Sequence, residues 1–289
     1  MRPVALVALV ALAALAGAAP GARAADAAPV THSEAATGLL DDIIANARWV
    51  LGGSLNSAPD FAGSGHRDNK LSPLYALQYG RVRFSTGGAG GLLNFGIDVA
   101  GPGASAELKT SGKVKLGASL RIDNGRKPSD SADLAGLPEI RRTVRGRLYA
   151  STSLTARWTA STSVSQDLLG RDGGALATAD LGYALPTSPR TTWTAGAGVS
   201  FGDRTYMRSY YGVTSAASAT SGLPAFDAGA GPRDMHFGLG WTSALTPRWI
   251  GFASLGGSRL LGDAAASPLT KNRNAVSMSV GIGYRCCKP

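Results

Sequence analysis

Ala275-Val276-Ser277-Met278-Ser279-Val280-Gly281-Ile282-Gly283-Tyr284 alternates without a fault, with Val276, Met278, Val280, Ile282 and Tyr284 on one parity and Ala, Ser or Gly on the other. A period of two predicts a β-strand with one apolar face. Placed almost at the end of the chain and finishing on an aromatic, this stretch reads as the closing strand of a barrel whose outer wall meets lipid.

The start of the chain fits export. Arg2 supplies a positive charge, Val4 to Ala16 is a run of Val, Leu and Ala, and Ala22-Arg23-Ala24 offers small residues around a cut after Ala24, so residues 1–24 read as a signal peptide. That run is too short to cross a bilayer as a helix, and no later stretch is long and apolar enough either. Glycine is 39 of 289 residues, about twice ordinary usage. Only 17% of residues are charged, against roughly 25% in an ordinary globular chain. The mean hydropathy of +0.02 suits a wall with one face toward lipid and one toward water or polar side chains. A soluble sandwich would need an apolar interior, whereas the second face here repeatedly carries Gly, Ser, Thr, Arg and Lys.

The alternation recurs upstream. Val114, Leu116, Ala118, Leu120 and Ile122 interleave with Lys115, Gly117, Ser119 and Arg121, and Val144, Leu148 and Ala150 with Thr143, Arg145, Arg147 and Tyr149. Further strands follow at Trp158–Val164, Ala177–Leu185, Trp193–Phe201, Phe237–Trp241 and from Trp249. Short connections at Ser153–Ala156, Pro186–Pro189 and Leu245–Arg248 are rich in turn formers. Long ones run from Asp123 to Arg142, Gly202 to Asp234 and Arg259 to Asn274. Outer-membrane barrels keep short turns in the periplasm and long loops outside, which sorts the two sets by side.

In the first third, Arg48–Leu55, Leu74–Tyr79, Arg81–Thr86 and Gly91–Val99 can be drawn as four strands. The expected fold is therefore all-β, a transmembrane antiparallel up-and-down barrel over 48–285 with about twelve strands, ten being the alternative. Residues 25–47 read as a periplasmic lead-in, either partly ordered or a short helix capped by Ser33 with Leu39, Leu40, Ile43 and Ile44 on one side.

Several stretches carry a family resemblance: Tyr206-Met207-Arg208-Ser209-Tyr210-Tyr211-Gly212-Val213, Ser221-Gly222-Leu223-Pro224-Ala225-Phe226-Asp227, and Ser258-Arg259-Leu260-Leu261-Gly262-Asp263 followed by Ser267-Pro268. With Asp167-Leu168-Leu169-Gly170 and Ser119-Leu120-Arg121, they resemble the MipA/OmpV family, the MltA-interacting proteins, over roughly Trp49 to Arg285. The first two lie on a loop whose sequence barrel periodicity does not dictate. The resemblance implies a non-enzymatic outer-membrane protein without cofactor. It implies as partners a lytic transglycosylase and a bifunctional penicillin-binding protein, which such a scaffold brings together; other members are linked to adhesion, permeability and antibiotic response. A scaffold role carried over by similarity is an analogy.

A channel or ligand-binding barrel is the second reading. The chain has 29 Lys plus Arg against 19 Asp plus Glu. Lys115, Arg121, Arg145 and Arg147 share the polar parity of two strands, a basic stripe that would favour anions if it lined an open lumen. The alternative is that inward carboxylates such as Asp167 and Asp180 pair with it and close the interior. Tyr206, Tyr210, Tyr211 and Phe226, with His236 nearby, form a cluster that either packs the long loop or stacks on a sugar or drug. Arg126, Lys127, Lys271 and Arg273 are candidates for lipopolysaccharide phosphates, or a solvated loop face. The scattered cations, with no basic platform interleaved with aromatics, give no nucleic-acid surface.

Catalysis would need a base, and the histidines are His32, His66 and His236. His236, on a strand and preceded by Asp234 and Asp227, is the candidate, against the plainer role of a satisfied polar side chain. Three separated His and one Cys pair have no zinc spacing. Gly87-Gly88-Ala89-Gly90-Gly91 lacks the strand and helix of a nucleotide cradle. At the end of the chain Tyr284-Arg285 runs on into Cys286-Cys287-Lys288-Pro289, an atypical tail at 286–289. Adjacent cysteines close only a strained ring, which leaves pairing with another chain or a small thiol, or a free thiol pair.

Overall fold

The computed structural model describes residues 48–86 and 103–286. The strands follow the alternation closely. They are β1 (Arg48–Pro59), β2 (Arg67–Tyr79), β3 (Val82–Ser85), β4 (Gly103–Ser111), β5 (Val114–Asp123), β6 (Thr143–Ser153), β7 (Trp158–Asp167), β8 (Ala175–Ser188), β9 (Thr191–Gly202), β10 (Gly231–Ala244), β11 (Trp249–Leu260) and β12 (Asn274–Arg285). Each pairs antiparallel with its sequence neighbours, and β12 returns to β1 from Val50↔Arg285 to Ser57↔Met278, closing the barrel and leaving no edge. Among the described residues the count is twelve, so the ten-strand alternative falls.

The apolar face of β12 points out: Val276, Met278, Val280 and Ile282 are exposed, as are Leu71, Leu148, Val164 and Phe237 on other strands. In water such a belt would be an aggregation surface; in hydrocarbon it is solvated. Among the described residues no helix is long and apolar enough to cross a membrane, and the strands form the wall. The lumen side is mixed. At the end carrying the short turns, Val50, Leu74, Ala76 and Ile250 form a buried apolar cluster against Phe252.

One strand is displaced from its expected place. The expected segment Gly91–Val99 lies outside the described residues, and the fourth strand of the barrel is Gly103–Ser111. Its outward residues include only Ala104 and Ala106 before a bulge between Glu107 and Lys109 breaks the register, so its apolar signal is weak. A second bulge falls at Pro186, which has no N–H to give the ladder. A third, between Pro232 and Asp234, starts β10 earlier than Phe237 suggests.

Short turns join β2–β3, β4–β5, β6–β7, β8–β9 and β10–β11, and the barrel's two ends, Arg48 and Arg285, stand at the same rim. The opposite rim carries the long loops. There the β5–β6 loop forms two 3-10 turns, Pro128–Asp130 and Ala132–Leu134, and the β9–β10 loop forms helices α1 (Arg204–Tyr211) and α2 (Ser215–Ser221). Helix α3 (Gly262–Ala266) lies in the β11–β12 loop.

Candidate functional site

The long loops share two small cores over the barrel mouth. Tyr206, Met207 and Tyr211 of α1 pack with Ala228, Leu260 and Ala264, and Tyr210 and Phe226 lean on them. Leu134, Leu137, Val213, Ala217 and Leu269 form the second core, with Phe61 and Phe226 at its border. Phe226 touches both cores and exchanges backbone hydrogen bonds with Val213 at 2.9 and 2.8 Å. Four of the five expected cluster residues therefore meet; His236 stands apart in the wall.

Helix α1 starts where the sequence permits. Asp203 Oδ1 caps it by accepting from Tyr206 N at 2.7 Å. Gly174 lies against this first turn with φ +56, and a Cβ there would stand 2.2 Å from Tyr206 N. From the helix, Tyr206 reaches into the mouth. Its ring stacks on Tyr210 at 4.5 Å, and the guanidinium carbons of Arg145 and Arg233 lie 5.3 and 5.9 Å from its centroid. Arg233 Nη1 donates to Tyr206 Oη at 2.9 Å, and Arg233 is also paired with Asp234. Tyr210 Oη donates to Asp123 Oδ2 at 2.9 Å, the carboxylate oxygen that Arg145 Nε also meets at 2.9 Å.

Electrostatics hold these groups in their bonding forms. Burial pushes the Tyr210 phenol well above its ordinary value, and the Asp123 carboxylate adds to the effect; burial does the same to Tyr211. Both stay protonated. On the outer side of α1, Asp227 accepts from Arg204 Nη2 at 3.0 Å and from Arg208 Nε at 2.6 Å. The Arg204 hydrogen bond, then the Arg208 one, holds the Asp227 carboxyl below its ordinary value.

The expected basic stripe divides. Arg121 lies opposite Arg145, Ser119 opposite Arg147 and Lys115 opposite Ser151. Arg145 belongs to the plug, bonded to Asp123, to Gly174 O at 3.2 Å and to Gly173 O. Arg121 shares the row of Arg145, Arg147 lies two residues further along β6, and Lys115 is exposed near the short turns. The carboxylates expected to neutralise this stripe are engaged elsewhere. Asp167 sits opposite Arg145 in register, yet its oxygens accept from Leu169 N (2.9 Å), Arg171 N (2.6 Å), Gly173 N (3.0 Å) and the Thr143 hydroxyl. Asp180 faces His236 Nε2 at 2.8 Å and accepts from Thr178 Oγ1 at 3.1 Å.

His236 is held on both sides, since Asp234 Oδ1 lies 2.9 Å from its Nδ1. Both ring nitrogens face carboxylates, the arrangement of the satisfied polar side chain weighed above against a base. Asp227, the other carboxylate considered for it, is bound to α1. Among the described residues no group of His, Cys, Asp and Glu is placed to hold a metal ion.

Of the external cations, Arg126 is buried. Its Nη1 donates to Tyr210 O at 2.8 Å, its guanidinium lies 5.9 Å from the Phe61 ring centroid, and burial lowers its pKa. It fixes the end of α1 and offers lipopolysaccharide nothing. Lys127, Lys271 and Arg273 are exposed. Cys286 is disulfide-bonded, which replaces the free thiol pair, and its N donates to Trp49 O at 3.1 Å. The sequence reading passed over Asp203 and Arg233. A capping Asp ahead of Arg-Thr-Tyr-Met was a readable signal; the approach of Arg233 to Tyr206 depends on the fold.

These features define a twelve-stranded outer-membrane β-barrel whose long loops pack on one another and on wall residues at one mouth. Its closing strand, apolar belt and loop segments place it further: the chain belongs to the family of the MltA-interacting protein MipA, whose profile matches residues 51–286. No curated protein sequence matches the chain. Among solved structures, similar folds include the NanC porin (8% identity, 82% of this chain and 98% of that one, TM-score 0.41). Others are OmpT of Vibrio cholerae (9%, 83% and 96%, TM-score 0.37) and the translocator domain of the autotransporter NalP from Neisseria meningitidis (11%, 98% and 99%, TM-score 0.39).

Proposed function

We propose that this chain, freed of residues 1–24, is an outer-membrane anchor that gathers murein enzymes at its periplasmic end. A lytic transglycosylase is the first partner, as the family's name says of its namesake, and a bifunctional penicillin-binding protein the second. The observation that carries the reading is the packing of the long loops over one mouth. A barrel that spends Tyr206, Tyr210, Arg145 and Arg233 on closing its external end is built less for flux than for presenting a surface. The surface proposed for periplasmic partners is the short-turn rim, and the lead-in at 25–47 is proposed as a separate contact.

Photo-crosslinking in living cells tests this. Probes are placed at Ala45, Ala156 and Pro189, with Lys271 on the external side as control. Capture of a lytic transglycosylase from the first three positions and not from Lys271 is expected. Capture of no murein enzyme from any of them rejects the scaffold role.

A further inference from the structure

The short turns carry a charge pattern of their own. Tyr79-Gly80-Arg81-Val82, Ser111-Gly112-Lys113-Val114, Ser153-Leu154-Thr155-Ala156-Arg157-Trp158, Ser188-Pro189-Arg190-Thr191 and Ala244-Leu245-Thr246-Pro247-Arg248-Trp249 each hold one cation and no carboxylate. All five cations are exposed. The opposite rim is mixed. Among the described residues every carboxylate except Glu107 and Asp180 lies in the long loops or the strand ends that bear them.

Two of the turns are built alike. Leu154-Thr155-Ala156-Arg157-Trp158 and Leu245-Thr246-Pro247-Arg248-Trp249 share the pattern Leu-Thr-x-Arg-Trp. Thr155 Oγ1 accepts from Arg157 N and Trp158 N at 3.2 and 3.1 Å, and Thr246 Oγ1 from Arg248 N and Trp249 N at 3.3 and 3.0 Å. In each, the Trp ring lies against a tyrosine of the next strand: Trp158–Tyr183 at 4.9 Å and Trp249–Tyr284 at 5.2 Å. The arginine then donates to that tyrosine's hydroxyl, Arg157 to Tyr183 at 3.4 Å and Arg248 to Tyr284 at 2.8 Å. The bond aligns the guanidinium with the aromatic girdle, leaving further donors for an anion.

We propose that this rim is a binding belt for the phosphates of anionic phospholipids in the periplasmic leaflet. Level makes lipid the partner of these five cations, alongside the protein contacts proposed above for the turns. Trp and Tyr side chains settle at the headgroup boundary, and turns this short set their cations immediately beyond those rings, at phosphate height. Exposed Leu154 and Leu245 fit the same level, where an apolar side chain meets acyl carbon. A cation near an anionic membrane surface enriches such lipids about fivefold at low salt.

The chain's own tryptophans report on the belt, because Trp49, Trp158, Trp193, Trp241 and Trp249 all stand toward this end of their strands. The full barrel is reconstituted in phosphatidylcholine vesicles containing brominated phosphatidylglycerol or, at the same fraction, brominated phosphatidylcholine, and quenching is compared. The brominated phosphatidylglycerol is expected to quench severalfold more strongly at low salt, with the difference collapsing at high salt. A variant with R81Q, K113Q, R157Q, R190Q and R248Q is expected to quench equally in both, its folding checked by heat-modifiable gel mobility. Should that variant not fold, R81Q, K113Q and R190Q alone spare the tyrosine bonds and are expected to lose over half the preference. Equal quenching of the unaltered barrel by the two lipids, or an undiminished preference in a folded variant, overturns the proposal. So does a folded variant that keeps its lipid preference while losing periplasmic protein crosslinks, which assigns the rim to protein.

Discussion

Gly198 of β9 lies between Asp180 of β8 and His236 of β10 in the same ladder row, and its lack of a side chain lets the two meet across it. A Cβ there would stand 2.4 Å from Asp180 Oδ1 and 2.6 Å from His236 Nε2. Gly198→Ala is therefore expected to part the pair and cost about 2 kcal/mol, the worth of a hydrogen bond between charged groups. Urea titration of the barrel in lipid vesicles measures it. In a His236→Ala background the same change is expected to cost less than half as much, and equal costs in the two backgrounds would show that the glycine serves only its own backbone. At this scale the sequence was partly legible. Parity put Asp180, Gly198 and His236 on the lumen side, but which residues share a row depends on strand register, which one chain does not print. That is why Asp180 was expected beside the arginines.

Elements were easier to read where their side chains are large. β12, β9 and β5 declare themselves through Val, Ile, Leu and Trp, whereas β4 offers alanines and a bulge, and the more apolar Gly91–Val99 drew the assignment instead. Helix α1 was legible as a motif and not as a shape, because the residues that order it come from β6, β8, β10 and two other loops. Its outer clip, Asp227 between Arg204 and Arg208, makes the element sensitive to acid. The folded-state pKa of Asp227 is depressed, so the clip's contribution is complete above the unfolded value near 4 and disappears as pH falls through the folded value. Hydrogen exchange of the α1 amides, corrected for intrinsic rate, is expected to accelerate below about pH 4. Asp227→Asn is expected to give the faster exchange already at neutral pH and to show no further change on acidification. An acid response that survives in the variant would place the sensitive carboxylate elsewhere.

For the whole molecule, the two rims and the lumen answer different demands: loops that close, turns that carry charge toward one leaflet, and a wall whose basic residues lie behind the closure. The resemblance in sequence pointed to the outer membrane and to a partner class, but closure is a property of side chains gathered from several loops and strand ends, and no single motif carries it. Conductance separates closure from occlusion deeper in the barrel. The intact protein in a planar bilayer is expected to give few or no steps. Replacing residues 203–230 by a short Gly-Ser link removes Tyr206 and Tyr210, frees Arg145 and Arg233 from their rings, and is expected to yield stable openings. Those openings are expected to favour anions where Arg121, Arg145, Arg147 and Arg233 at the entrance outweigh the carboxylates of Asp123, Asp167, Asp180 and Asp234 beside them, Lys115 lying at the far end of the lumen. Cation preference in the deleted form would mean that these arginines are neutralised within the wall. Continued silence would place the true barrier at the other end, in the apolar cluster of Val50, Leu74, Ile250 and Phe252, where Phe252→Ala is the change that should then open it.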